Sequence, residues 1–481
     1  MLLVFVFSSQ KVQAQFKADS VFTCQAYLDD LDSLKHTLEV SHPNPYVFCG
    51  KDFFQQEFDR TRLSITDSTT LQQFALKVAE LMAVLRDSHS SIDYSYLSQL
   101  LLKDHQHLLP FKIYSDSTGI FVERDRSKKL LPGLKIITID HHHIDSLYSE
   151  VLKAASTEGD AVVGKHRIAD AVFPTLVAMH SPLNKQADIE YMFQGSDSIY
   201  CTTVECVDMR RYRKAQKIYA EHEMDSLYKL KFGNGNQMAY LKIGSFAPSN
   251  RNQYRKFIYK SFEKINEKGC KNLILDIRDN GGGSSAWVEY LYSFLDSAGY
   301  NTPNNVISIS SRIGKKRTAH MSKKSVKWVL EHFYKRDEDV QAFLRFYQNP
   351  LGKLDTVFFH QPTKQKDKLV FKGNCYLMIN GLTASAGVDF TNSFKQHHRG
   401  PIVGEPCLGP ISGTFGNPTS YSLPNTEVRV ILATIRYNYD TTFVYERLPI
   451  QPDYWVPTRS MDLLKGKDTQ LEFIESLILK K

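Results

Sequence analysis

The chain has 481 residues, 42% hydrophobic and 23% charged, and a net charge of +8. This is the composition of a soluble globular protein, long enough for about two to four domains. The positive charge is spread along the chain. Its densest run, Lys315-Lys316-Arg317 with Lys323-Lys324, lies in a polar stretch that reads as a solvated loop. With no P-loop and no zinc-finger spacing either, no nucleic-acid partner is expected.

Residues 2–7 are an apolar run too short to span a bilayer, and Val12-Gln13-Ala14 follows with a small residue before Gln15. Residues 1–14 are therefore expected to be a leader peptide, although no positive charge precedes the apolar run. The protein is expected to be exported to the periplasm or the exterior of a bacterial cell. No other transmembrane candidate appears, and no cysteine follows the run to carry a lipid. The seven cysteines are odd in number and scattered, which is not a disulfide framework.

Residues 15–106 read as a helical cap. Leu28, Leu31, Leu34 and Leu38 recur at helical spacing until His42-Pro43. A second helix is expected near 52–63. A third follows Thr69, with Leu71, Phe74, Val78, Leu81 and Leu85 on one face, and stops at Asp87-Ser88-His89. Residues 107–208 read as a β-rich module with strands at 111–114, 119–123 and 134–140 and a helix near 146–155. The 130–140 segment resembles the part of a PDZ domain that follows its carboxylate-binding strand. His141, His142 and His143 read as a solvated turn, because no carboxylate stands at ligand spacing.

From 236 to 481 the chain carries the chemistry. Strands at 238–243 and 273–277 flank a helix over 254–266. The second strand runs into Arg278-Asp279-Asn280-Gly281-Gly282-Gly283, a glycine turn that exposes backbone N–H groups. No Lys-Ser or Lys-Thr follows, so an anion hole for a reacting carbonyl fits as well as a phosphate cradle. Residues 300–370 read as a polar insertion with helices near 325–334 and 340–347. A buried strand, Tyr376 to Ile379, then turns at Asn380-Gly381 into a helix bearing Phe390 and Phe394. Ser385 sits at that junction. It is either an N-cap or a nucleophile held clear of a sheet beside a helix N-terminus.

A serine hydroxyl needs a base. No histidine follows His398, and His397, His398 and Lys395 lie about three turns along the serine's own helix, out of its reach. The base must come from elsewhere. The ordered set Asp276-Ile277-Arg278 with Asn280 and Gly282-Gly283, then Asn380-Gly381 with Thr383 and Ser385-Ala386, then Gly404-Glu405, then Glu446 and Pro452-Asp453 resembles the tail-specific (C-terminal processing) serine peptidases. The resemblance covers about residues 236–460. One branch of that family uses a lysine some 25 residues after the serine; here 407–413 contains none. The other branch, similar to the tricorn protease core, uses a Ser/His/Ser/Glu tetrad, and Ser88-His89 matches its serine–histidine pair.

The resemblance implies an α/β, crotonase-like catalytic domain of ββα units, with the PDZ-like module and helical cap upstream. It implies a serine endopeptidase acting on unfolded or C-terminal tail segments of polypeptides. Ser385 would be the nucleophile and His89 the general base, with Ser88 and Glu446 orienting and offsetting the imidazole. The N–H groups of Gly282 (with Gly281 and Gly283 as alternatives) and Ala386 would form the oxyanion hole. Asp276, Arg278 and Asn280 would brace the loop. No metal or other cofactor is expected, and the family's oligomeric states vary. The sequence departs from the family in placing Gly387 and Val388 where a glutamate often stands, and it lacks a clear carboxylate-binding loop in the PDZ-like module. Two other readings stay open: a peptide- or apolar-ligand-binding protein on the same scaffold, and an ester hydrolase.

Overall fold

The computed structural model describes residues 16–480 apart from 104–105, 209–210, 212–226, 234–236, 298–299, 301–302, 304, most of 318–347, 359–368 and 440–445. The expected leader, the basic pair Lys323-Lys324 and most of the helices expected at 325–334 and 340–347 fall outside the described residues.

A six-stranded sheet organises the C-terminal half. Its order is Tyr228–Gly233, Met238–Ile243, Asn272–Asp276, Asn374–Ile379, Ile402–Gly404, Tyr454–Trp455. The first pair is antiparallel and the rest are parallel. Its central strands are buried on both faces, which explains their nearly continuous apolar sequence. Leu273, Leu275, Leu377 and Ile379 pack with the helices Arg251–Glu267, Ser285–Tyr292 and Ala386–Gln396. Ile274, Tyr376 and Met378 point the other way, onto Ile474 of the helix Thr469–Leu479.

The N-terminal helices Cys24–Ser41, Lys51–Leu63 and Leu71–Ala83 form as their periodicity predicts. The third opens with a capping box between Thr70 and Gln73. This region is joined to the rest of the chain by more than a linker. Ser91–Ile92 pairs antiparallel with Arg429–Leu432. One apolar core runs from Leu31 and Phe74 through the β-rich module to Ala384 and Leu408. The β-rich sheet contains Phe111–Asp116, Gly119–Asp125, Lys135–Ile139, Gln186–Met192 and Ile199–Glu205. The helix Ile144–Ala154 packs beside it, as expected. The helix Val162–His180 has no counterpart in the sequence reading. Its Gly164 lies where an added Cβ would come within 2.5 Å of Leu408 and 3.1 Å of the Gly381 carbonyl. Close backbone approach thus seats this helix on the turn that leads to Ser385.

The segment read as an insertion contributes two strands to the architecture. Asn305–Ile309 and Leu354–Phe358 join Ile435–Asn438 and Phe415–Gly416 in a four-stranded antiparallel sheet. Among the described residues, no helix is long and apolar enough to cross a membrane.

Candidate active site

The serine corner is built from backbone. After the strand ends at Ile379, the Asn380 side chain accepts the Asp279 N–H at 2.9 Å and donates to the Asp279 carboxylate at 2.8 Å. The Thr383 hydroxyl donates to the Ile277 carbonyl, and the Ala384 N–H donates to the Asn280 carbonyl at 2.9 Å. These bonds tie the serine turn to the glycine turn of the neighbouring strand. Ser385 then takes φ 51°, ψ −123°, a sparsely populated conformation for a residue with a side chain. Its hydroxyl makes no capping bond to the helix that follows. Ser385 thus stands at the N-cap position of that helix without capping it through its side chain.

Gly282 lies against this corner with φ 97°. A Cβ there would come 2.6 Å from the Ser385 Cβ and 2.9 Å from the Ala386 nitrogen. The Gly282 N–H, however, donates to the Asn280 side-chain oxygen at 2.9 Å. It is thus engaged within its own turn, which corrects the expectation that it faces an oxyanion. Among the described residues, the N–H groups of Gly283, next in the turn, and of Ala386, next to the serine, have no hydrogen-bond partner. Asn280 is fastened from its other end to the Ile243 carbonyl. Asp276 holds Arg278 at 2.8 and 2.9 Å, and Arg278 grips Asp468 in a two-pronged pair, joining the loop to the C-terminal helix. Burial would raise the Asp276 carboxyl, but Arg278 and then Lys242 hold it well below the usual range.

The histidine corner is built from charged side chains. Asp87, Ser88 and His89 are all buried. The Asp87 carboxylate accepts the His89 backbone N–H at 2.9 Å and the His42 Nε2–H at 3.0 Å. On its other side His42 Nδ1 accepts the Asn44 N–H at 3.1 Å. The Ser88 hydroxyl lies 3.3 Å from His89 Nδ1 and donates to Glu158 Oε2 at 2.6 Å; the Ser88 N–H donates to the same oxygen at 2.9 Å. His89 Nδ1 is 3.7 Å from Glu158 Oε2 and 3.8 Å from Asp87 Oδ1. Burial alone would lower the His89 imidazole, but Glu158, then Asp87 and Asp389, raise it above its ordinary value.

Asp389, one turn beyond Ser385 on the same helix, connects the two corners. Its carboxyl bonds to Tyr439 and feels the charge of His89. Burial nonetheless pushes it up to about 7.

Glu446 does not occupy the position expected of it. It is exposed, its N–H donates to the Ser412 hydroxyl, and it lines a cavity of about 330 Å³ with Lys395 and Leu448. The carboxylate on Ser88 belongs to Glu158, in a loop clamped where Asp160 pairs with Arg86 and Arg447. Sequence reasoning missed Glu158, His42 and Asp389. A fully buried glutamate beside Gly159 has no periodic or spacing signal of its own, and His42 reads simply as the end of a helix.

A search of curated protein sequences finds no match. The fold is similar to solved structures of CPAF. A serine-to-alanine mutant of CPAF aligns with TM-score 0.68 at 13% identity, covering 94% of this chain and 96% of that one. Mature CPAF complexed with lactacystin aligns with TM-score 0.66 at 13% identity, covering 94% and 97%. The sequence profile of peptidase family S41 matches residues 237–456, the stretch that holds the glycine turn, Ser385 and the strands between them. The fold is accordingly the crotonase-like one with a PDZ-like module, and residues 237–456 are similar to peptidase family S41.

Proposed function

We propose that the protein is a serine endopeptidase that hydrolyses unfolded or C-terminal tail segments of polypeptides through an acyl-enzyme. Ser385 attacks the scissile carbonyl. His89 takes the hydroxyl proton and returns it to the leaving amine. The N–H groups of Ala386 and Gly283 receive the oxyanion, each such donor contributing about 3 kcal/mol to transition-state stabilisation. Ser88 and Glu158 orient the imidazole and offset the positive charge it acquires, the role the resemblance gives to Ser88 and Glu446. The observation that carries this reading is the state of Ser385: a strained turn residue whose hydroxyl is unused by its helix, one turn from a carboxyl that senses a buried imidazole. A serine held only for structure would cap the helix. Export of the mature chain belongs to the same reading and rests on the apolar run at residues 2–7.

The test is cleavage of an unfolded protein by the purified chain beside Ser385→Ala and His89→Ala. Each variant is expected to lose activity by about 10⁴-fold or more. An inactive parent that binds a panel peptide would instead favour the binding-protein reading. Activity retained by His89→Ala alone would remove His89 as the base.

A further inference from the structure

We propose that Asp87, His89 and Glu158 form an inhibitory zinc site, in which a divalent ion held by one imidazole nitrogen and two carboxylates switches the base off. The inhibition rests on His89 being the general base; the binding does not.

Charge is the first argument. Two carboxylates lie beside His89 Nδ1, and both are essentially buried, at 1% exposure for Asp87 and 0% for Glu158. His42 Nε2 bonds to the Asp87 carboxylate at 3.0 Å from the far side. Both carboxylates favour positive charge at this place, and Asp389 adds to them from the nucleophile helix. A divalent ion bound to two carboxylates and a neutral imidazole balances the two negative charges.

Geometry is the second. One ligand atom from each of the three residues can be chosen so that all lie within 4.8 Å of one another. The two sides of the triangle that meet at His89 Nδ1 are 3.7 and 3.8 Å. Tetrahedral zinc, with bonds of about 2.0–2.2 Å, separates its ligand atoms by roughly 3.4 Å, so small side-chain rotations close the site. The Ser88 hydroxyl bridges Nδ1 and Oε2 at 3.3 and 2.6 Å, and an ion bound to both atoms would displace it. Third, Glu158 Oε1 is buried without a hydrogen-bond partner among the described residues, an expensive state that a bound ion or its water relieves. A nitrogen–oxygen donor set of this kind suits zinc better than magnesium or calcium.

The consequence follows from tautomer chemistry. Zinc takes the Nδ1 lone pair, and a proton resident there leaves to the buffer. A neutral imidazole bound through Nδ1 keeps its proton on Nε2. Such a ring cannot accept the serine proton at Nε2, so the nucleophile is left unactivated while the fold stays intact.

The experiment titrates zinc chloride into the metal-free full chain by calorimetry and follows peptide cleavage in parallel. The parent and Ser385→Ala are expected to bind zinc with the same affinity. Glu158→Gln and Asp87→Asn, checked as folded by their thermal melts, are expected to bind at least about tenfold more weakly. Saturating zinc is expected to lower the parent's cleavage rate at least about tenfold, reversed by a chelator. Binding by Glu158→Gln and Asp87→Asn as tight as the parent's would overturn the site. Zinc bound as expected with the cleavage rate unchanged would overturn the switch. A parent with no peptidase activity would count against the proposed function alone, since the calorimetric comparison still decides whether zinc sits here.

Discussion

The two halves of the candidate site are held by different forces. The serine corner is a backbone construction. Asn280, Asn380 and Thr383 bond across two adjacent parallel strands, Gly282 bonds within its own turn, and few charges are needed. The histidine corner is an electrostatic construction. His42, Asp87, Ser88, His89 and Glu158 come from three separate stretches of chain and are buried together. A backbone corner tolerates exchange of neighbouring side chains but no added atom where peptides touch. A charged corner tolerates small shape changes but not the loss of one partner, because the remaining charge stays buried.

Gly282→Ala strikes the first corner hardest. Its added Cβ meets the Ser385 Cβ at 2.6 Å and would have to adopt φ 97°. Peptidase kcat is expected to fall by about 10²–10³-fold, with roughly 1–3 kcal/mol lost from stability. Steady-state kinetics and a denaturant melt check both. Near-normal activity would mean that the glycine turn lies away from the reacting carbonyl.

Glu158→Gln strikes the second. The isostere keeps the shape but removes the charge beside the imidazole, and kcat is expected to fall by about 10²-fold with KM little changed. Glu446→Gln is expected to cost less than about fivefold, the ordinary effect of an exposed substitution. If the two effects are reversed, Glu446 closes onto the imidazole when substrate binds, and Glu158 serves only to hold Ser88.

His42→Phe has a smaller effect and separates packing from polarity. The His42 ring packs tilted against Phe415 with centroids 4.4 Å apart, so phenylalanine fills the same space while Asp87 loses a donor. A stability loss of about 1–3 kcal/mol is expected, because Asp87 keeps its charge in a buried place with one fewer hydrogen bond. Equilibrium unfolding reads it directly. A loss near zero would show that water replaces the histidine.

The contrast between the corners also decides how much of the site could be read from sequence. The serine corner was legible because each part is local: an apolar strand, an Asn-Gly turn, a serine, an amphipathic helix, and a triple glycine on the neighbouring strand. Even there, which glycine offers its N–H was not legible, since it depends on the Asn280 side chain turning back onto Gly282. The histidine corner was legible only as far as Ser88-His89. Glu158 lies 70 residues further on, and nothing in the spacing of Glu158-Gly159-Asp160 says that it folds back onto Ser88. The helix Val162–His180 was missed for a related reason. Its faces are buried by different neighbours, so the apolar residues do not fall into one stripe, and Pro174 interrupts the pattern. Most other elements of the fold follow from local periodicity, because they bury a single face.

The last prediction concerns Asp389, the one group that belongs to both corners. It sits on the serine helix, half-buried with its Oδ1 sealed from water, and its carboxyl is pushed up from 3.8 to about 7 by burial. Between those two pH values the folded protein holds a proton that the unfolded chain has released. Stability therefore falls as pH rises through this window, and above it the whole cost persists. An asparagine in its place does not titrate, so the stability of Asp389→Asn relative to the parent should grow from pH 4.5 to pH 7 and then level off. The gain above pH 7 is expected to be about 1–3 kcal/mol, reduced from the full shift by the carboxyl's partial exposure. Thermal melts of both proteins at pH 4.5 and pH 8 measure it. A gain that shrinks as the pH rises would mean that Asp389 is ionised in the folded protein and paired with a protonated His89, so that the two corners would be joined by charge attraction.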